Sequence, residues 1–124
     1  MSKPSDTLTD LELQIMKIVW DRDSSTVRDV YESLVKTRKI AYTTVMTMMG
    51  ILEQKGHLKK SSRARAYVYR PTKPKKKVVG AMVRDFVDRV FNGSAEPLLV
   101  HLVEEGELSE ENLKQVAKML RKSK

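Results

Sequence analysis

Residues 41–56 read AYTTVMTMMGILEQKG. At a helical period of 3.6, Val45, Met48, Met49 and Leu52 recur at i, i+3, i+4 and i+7 and form one apolar face. The opposite face holds Thr43, Met46, Thr47, Gly50 and Gln54. It is short, uncharged and rich in methyl groups, where a solvated helix face would carry Glu and Lys. Gly56 reads as the stop, because glycine enters the left-handed conformation past a helix end without a Cβ clash. A helix with one core face and one small, mixed hydroxyl and methyl face suits the floor of the DNA major groove. There hydroxyls meet base donors and acceptors, and methyls meet the thymine methyl. A helix buried on both sides, or one that binds a protein partner, would carry a similar face. The rest of the chain decides between these readings.

The chain has 124 residues, enough for one compact domain or two small ones, and a formal net charge of +8. Such a balance favours a polyanionic partner. The charge is also unevenly placed. Lys55, Lys59, Lys60, Arg63, Arg65, Arg70, Lys73, Lys75, Lys76 and Lys77 follow one another with no Asp or Glu between them, and after Lys77 acids and bases nearly cancel. A merely solvated charge run is seldom so one-sided. There is no cysteine, which excludes disulfides and thiolate metal sites. The first residues are polar up to Leu8, so no signal peptide is expected, and no apolar run approaches the roughly 20 residues of a membrane span. A cytoplasmic protein without membrane insertion is the expectation.

Taken in order, residues 1–7 read as a polar tail. Thr9 and Glu12 have the spacing of a capping box, opening a helix to about Trp20 with Leu11, Ile15, Ile18 and Val19 inward. Asp21–Ser25 reads as a turn. Thr26 caps a second helix whose core stripe is Val27, Val30, Tyr31 and Leu34, with Asp29 favourable to its dipole. Thr37–Ile40 leads into the helix of residues 41–55. After Gly56 the period changes from helical to alternating. Leu58 starts one run, Ala66-Tyr67-Val68-Tyr69 makes another, and Ser61–Arg65 lies between them, placing Arg63 and Arg65 at or beside a hairpin tip. Three helices followed by a basic hairpin make a winged helix-turn-helix. In that arrangement the second helix braces, the third enters the major groove and the wing reaches the backbone or minor groove. The predicted base-facing residues are Thr43, Thr44, Met46 and Thr47, with Tyr42 beside them also predicted to bind DNA; the predicted phosphate contacts are Lys59, Lys60, Arg63 and Arg65. A small helical domain with a functionally idle hairpin is the alternative, and the acid-free basic run over the hairpin argues against it.

The predicted DNA-binding domain spans residues 1–71, and the basic stretch 72–77, with Pro71 and Pro74, reads as a linker. Residues 78–124 read as a helical dimerisation domain, so the whole is a mainly α fold with a small β-hairpin. Its long helix, about Lys76–Phe91, carries Val79, Met82, Val83, Phe86, Val87 and Val90 as a broad apolar stripe. Asn92-Gly93-Ser94 ends it, Pro97 opens a short helix with Leu98 and Leu102, and Gly106 stops that helix. Ser109 caps a last helix with Leu113, Val116 and Leu120 inward and Lys118, Arg121, Lys122 and Lys124 at its negative end. Fewer than 50 residues without a cross-link close a poor core alone. The stripe therefore calls for the same element of a second copy, and a dimer supplies the two half-sites such readers use.

Neither His57 nor His101 has a second ligand at metal spacing, and no metal or cofactor is expected. No nucleophile elbow, phosphate loop, zinc-protease or dinucleotide motif occurs. Glu104, Glu105, Glu107, Glu110 and Glu111 cluster beside helix ends as solvated caps, so no enzyme is expected.

Four pieces in this order and spacing resemble the penicillinase repressor family, the BlaI/MecI/CopY type of bacterial transcriptional regulator. They are LTDLELQIMKIVW, AYTTVMTMM, the hairpin ending RAYVYRP, and the stretch from FNGS through LLVHLVEEGELSEENL. The resemblance covers nearly the whole chain. It implies a winged-helix domain, a helical dimerisation domain, and repression through palindromic operators with TACA/TGTA-like half-sites. In the antibiotic-resistance members, a membrane sensor-protease relays the drug signal and the repressor is cut between helices of the dimerisation domain. The matching bond here joins His101 and Leu102, where the staphylococcal members have Asn–Phe. The copper-responsive branch has a C-terminal cysteine cluster that this chain lacks. Gly50 and Ile51 stand where many relatives have a polar residue and Arg, which removes a backbone clamp, and Ser62–Arg65 lacks a glycine common at the wing tip.

The leading expectation is thus a homodimeric repressor bound to double-stranded operator DNA. The alternatives are a nonspecific architectural DNA-binding protein, held by backbone charge alone, and a protein-interaction module whose basic run meets an acidic partner. Competition between specific and random duplex separates the first two, and the third predicts no groove protection on any DNA.

Overall fold

The computed structural model describes residues 7–63 and 65–122. Residues 1–6 of the expected tail, Ala64 at the expected hairpin tip and Lys124 lie outside the described residues, as does the side chain of Arg63. The elements are α1 (Asp10–Arg22), α2 (Val27–Leu34), α3 (Tyr42–Gln54), β1 (Leu58–Arg63), β2 (Ala66–Pro71), α4 (Lys75–Val90), α5 (Glu96–Glu104) and α6 (Glu110–Lys122). They divide into two compact units, one up to Met82 and one from Val83.

The first unit is built from well-capped helices. At α1 the Glu12 amide donates to Thr9 Oγ1 at 3.2 Å and the Thr9 amide to Glu12 Oε1 at 2.9 Å. At α2 the same reciprocal pair joins Thr26 and Asp29 at 3.1 and 3.0 Å. Each box satisfies two amides that the helix start leaves without partners. The core is Ile15, Met16 and Val19 of α1, Val30 and Leu34 of α2, and Val45, Met49 and Leu52 of α3, closed by Leu8, Leu58, Tyr69 and Val78. Two details of α1 differ from the periodic reading. Met16 and Glu12 are buried, while Leu11 and Ile18 are half-buried. Glu12 is tolerated inside because Lys55 Nζ stands 2.9 Å from its carboxylate.

α3 stops at Gly56, whose φ is +87°, and the His57 amide donates back to Leu52 O at 2.9 Å. The chain then enters the antiparallel hairpin, in register from Leu58 opposite Pro71 to Arg63 opposite Ala66. Ser61, Ser62 and Arg63 therefore belong to β1 and not to a connecting loop, which corrects the longer tip expected from sequence. The ladder hydrogen bonds outweigh the weak strand preference of serine here. A backbone bridge ties the wing to the turn before α2, with Ser25 N–H to Tyr69 O at 3.0 Å and Tyr69 N–H to Ser25 O at 2.8 Å.

The stretch after β2 is also held. Thr72 donates to Gly56 O at 2.6 Å through its hydroxyl and to His57 O at 3.0 Å through its amide. Trp20 Nε1–H donates to Lys73 O at 3.0 Å. Val78 is in the core of the first unit and Met82 packs against it, so the first unit extends beyond Pro71 into α4.

In the second unit α4 ends where Asn92 and Gly93 turn to φ +53° and +85°, and the rings of Phe86 and Phe91 meet edge to face at 5.9 Å. α5 opens with proline in its first turn. Ser109 and Asn112 cap α6 reciprocally at 3.1 and 3.0 Å. No residue of α5 or α6 is buried in the single chain.

Candidate nucleic-acid interface

The orientation of α3 follows from its inner face. Val45, Met49 and Leu52 are 0 % exposed. Turning the helix by one residue would rotate it about 100° and pull them into water. The outward strip is thereby fixed, and Tyr42, Thr43, Thr44, Met46 and Thr47 are all exposed. Met46 leaves 47 % of its surface in solvent, a thioether on a face free of charge. Glu53 stands beside this strip with its carboxylate 3.7 Å from Lys60 Nζ. Tyr42, the first residue of α3, is braced from α2. Its ring meets Tyr31 edge to face at 5.4 Å, and the Arg28 guanidinium carbon lies 5.9 Å from its centroid.

Strand pleat sorts the basic residues of the wing. Lys60 pairs across the hairpin with Tyr69, and its ammonium lies 4.5 Å from the centre of the Tyr67 ring. Lys59 falls on the other face, paired with Arg70; Arg70 in turn lies 4.0 Å from the Asp23 carboxylate. The two lysines grouped by sequence as phosphate contacts thus point to opposite faces of one hairpin. Arg65 is exposed in the turn. Tyr69 is buried, and burial pushes its phenol above the ordinary tyrosine value against the opposing pull of Lys60, so it stays neutral.

Between α2, α3 and the wing runs a groove of about 450 Å³, walled by Arg28, Tyr42 and Met46 on one side and Arg65, Tyr67 and Tyr69 on the other. No carboxylate lines it among the described residues. Arg28 and Tyr67 were not singled out from sequence. An Arg on the flank of a short helix has the pattern of ordinary solvated charge, and the alternation around Tyr67 signals only a strand. Their placement here is a tertiary fact.

His57 is buried, 2 % exposed. His101 is exposed and lies 3.8 Å from Glu105, and the bond to Leu102 is inside α5. Among the described residues no group of three or more metal-ligating side chains converges, and no helix is long and apolar enough to cross a membrane.

Of the predicted seam residues, Val83, Phe86, Val90, Leu113, Val116 and Leu120 are exposed, Val79, Met82, Leu98 and Leu102 are half-buried, and Val87 is buried. Leu99, Val100, Val103 and Met119 are also exposed. Periodicity along one stripe per helix does not select them.

Comparison with known proteins agrees with this architecture. The family model described as Penicillinase repressor matches residues 8–122. The chain is 27 % identical over 117 residues to the penicillinase repressor of Bacillus licheniformis, covering 94 % of this chain and 91 % of that one. It is 38 % identical over 99 residues to the transcriptional regulator BlaI of Mycobacterium tuberculosis, covering 78 % and 72 %. The solution structure of the DNA-binding domain of the repressor BlaI superposes with a TM-score of 0.53 at 31 % identity, over 60 % of this chain and 90 % of that one. The monomeric form of Bacillus licheniformis BlaI in complex with the blaP half-operator superposes with a TM-score of 0.51, also at 31 % identity, over 56 % and 85 %. Three helices and a two-stranded wing, an uncharged outward face on α3 and this match across nearly the full chain agree: the protein belongs to the penicillinase repressor family, the BlaI/MecI group of winged-helix transcriptional repressors, which are not enzymes.

Proposed function

We propose that this chain is a homodimeric repressor that holds palindromic operator DNA, with one α3 in each of two successive major grooves. Thr43, Thr44, Met46 and Thr47 face base edges, and Tyr42 stands at the groove rim. Lys59, Lys60, Arg63 and Arg65 neutralise phosphates. The observation that carries this reading is the outward strip of α3. It is exposed, uncharged and locked by a fully buried inner face, and it is flanked by a basic hairpin. The relative solved on a half-operator supports it, since that protein shares the fold of the first unit. Dimerisation rests on the second unit, where Val83, Phe86, Val90, Val116, Met119 and Leu120 each leave between 41 % and 68 % of their surface in solvent. So much apolar surface on a small unit is the ordinary mark of an interface, and a second copy offers a self-complementary partner. Linking two readers makes the second binding event intramolecular, which raises affinity without any new contact.

Footprinting on the DNA flanking the protein's own gene, with random duplex as competitor, tests the reading. Protection of two half-sites one helical turn or a multiple apart is the expected result. Equal affinity for random duplex would replace it with nonspecific backbone binding, and no protection on any DNA would refute both.

A further inference from the structure

Arg28 is the second residue of α2, and the helix itself gives no reason for a cation there. A positive charge in the first turn opposes the helix dipole. Glu32, one turn further on, makes no ion pair with it among the described residues. Other arginines of the first unit are engaged. Arg22 lies 3.5 Å from the Asp29 carboxylate, Arg38 donates to Gln14 Oε1 at 3.1 Å and Arg70 lies 4.0 Å from Asp23. Arg28 and Arg65 have no carboxylate partner among the described residues, and they stand on opposite walls of the groove between α2, α3 and the wing. The Arg28 guanidinium is 5.9 Å from the centre of the Tyr42 ring, near the outer limit of a cation–π contact. The side chain is exposed, so its N–H donors remain available to a ligand.

The groove lies beside the reading helix, because two of its wall residues, Tyr42 and Met46, belong to the outward strip of α3. A helix with its side chains is about 10–12 Å across, and the DNA major groove is about 12 Å wide. A helix seated there fills it from wall to wall, so whatever flanks the helix meets the sugar–phosphate chain. With an arginine on each wall and no carboxylate among its described lining residues, the groove is complementary in charge to that chain. We infer that one DNA strand passes through this groove and that Arg28 of α2 binds one of its phosphates, opposite Arg65 of the wing. Arginine suits the task, since its planar fork can take two phosphate oxygens at once. Such a contact carries no sequence information; it fixes the register at which Thr43, Met46 and Thr47 meet the bases. α2 is then a second DNA-contacting helix and not only a brace for α3. This inference rests on the DNA-binding reading above.

The test uses the full chain carrying Arg28→Gln, in salt titrations on the footprinted operator and on random duplex and in ethylation interference on the operator. Arg89→Gln is the matched control, since it removes the same charge from the second unit, where Arg89 pairs with Asp85 at 2.9 Å. Arg28→Gln should weaken binding to both duplexes by about tenfold and lower the slope of log affinity against log salt by about one unit for each copy bound. It should also abolish interference at one phosphate per half-site, a different phosphate from the one lost in Arg65→Ala. Arg28→Lys keeps the charge and should restore the slope, and Arg89→Gln should change none of these readings. The midpoint of thermal unfolding of Arg28→Gln should stay within about 3 °C of the unaltered chain's, as for other surface changes. A slope or an interference pattern of Arg28→Gln equal to that of the unaltered chain would overturn the inference and leave the operator reading intact. So would an equal loss in Arg89→Gln, which would report net charge alone, or a slope in Arg28→Lys as low as in Arg28→Gln. If the unaltered chain shows no operator preference while Arg28→Gln still lowers the slope on random duplex, the operator reading falls and the phosphate contact stands. Failure of the unaltered chain to bind any DNA would remove both.

Discussion

Lys55→Met is expected to destabilise the first unit in a pH-dependent way. Glu12 is 2 % exposed and lies in the first turn of α1, while Lys55 closes the far end of α3; their ion pair at 2.9 Å joins the two helices. Removing one partner of a buried pair costs about 3–5 kcal/mol, because the other charge is left desolvated. The Lys55 side chain is 27 % exposed, so water screens part of the interaction and about 2–3 kcal/mol is the expected loss. Burial pushes the Glu12 carboxyl up, but the Thr9 amide and the Lys55 ammonium together outweigh burial and hold it below the ordinary glutamate value. A depressed carboxylate contributes stability above its unfolded pKa and loses it as pH falls through the folded pKa. Without Lys55 the effect of burial is opposed by the Thr9 contacts alone, so the carboxyl rises. The difference between unaltered protein and variant should then be largest near pH 7 and shrink as pH falls through the depressed folded pKa of Glu12, below which the carboxyl is protonated in both. Urea unfolding followed by fluorescence reads this directly, because Trp20 is the chain's one tryptophan and its indole is bonded to Lys73 O within the first unit. A penalty under about 0.5 kcal/mol, the size of an exposed pair, or one that does not change with pH, would refute the reasoning.

Replacing Met46 or Thr47 with alanine should cost about 1–3 kcal/mol on operator and relax sequence choice; competition binding showing equal losses on operator and random duplex would contradict a base-facing role. Arg65→Ala should weaken all sequences alike and lower the slope of log affinity against log salt by about one unit, read from a salt titration. Phe86→Asp places a charge on the exposed face of α4 and should split the dimer while the first unit stays folded; sedimentation showing an intact dimer would exclude that seam. Release from DNA is expected not to require cutting at His101–Leu102: that bond is inside α5, and a protease needs local opening to reach it. A fragment ending at His101 that appears in the native host only after exposure to a cell-wall antibiotic would overturn this expectation.

The sequence by itself carried the order of elements, because their signals are local. Thr9 with Glu12, Thr26 with Asp29, Ser109 and Gly56 mark helix ends through contacts spanning three or four residues. The inner stripe of α3 repeats within two turns. The uncharged outward strip was legible for the same reason: a fixed inner face leaves one direction outward, and composition states what stands there. Tertiary structure decided whatever depends on partners distant in the chain. Glu12 can be buried only because Lys55, 43 residues later, reaches it. Ser61–Arg63 are strand because β2 supplies their hydrogen bonds, a contribution absent from the local composition. Lys59 and Lys60 look alike in sequence, yet the register with Arg70 and Tyr69 sends them to opposite faces. Arg28 reaches the ring of Tyr42 and shares a groove with Arg65 and Tyr67 through the packing of α2 on α3. Local periodicity reports which face of an element is apolar, but long-range packing determines what that face meets and which polar groups are brought beside it.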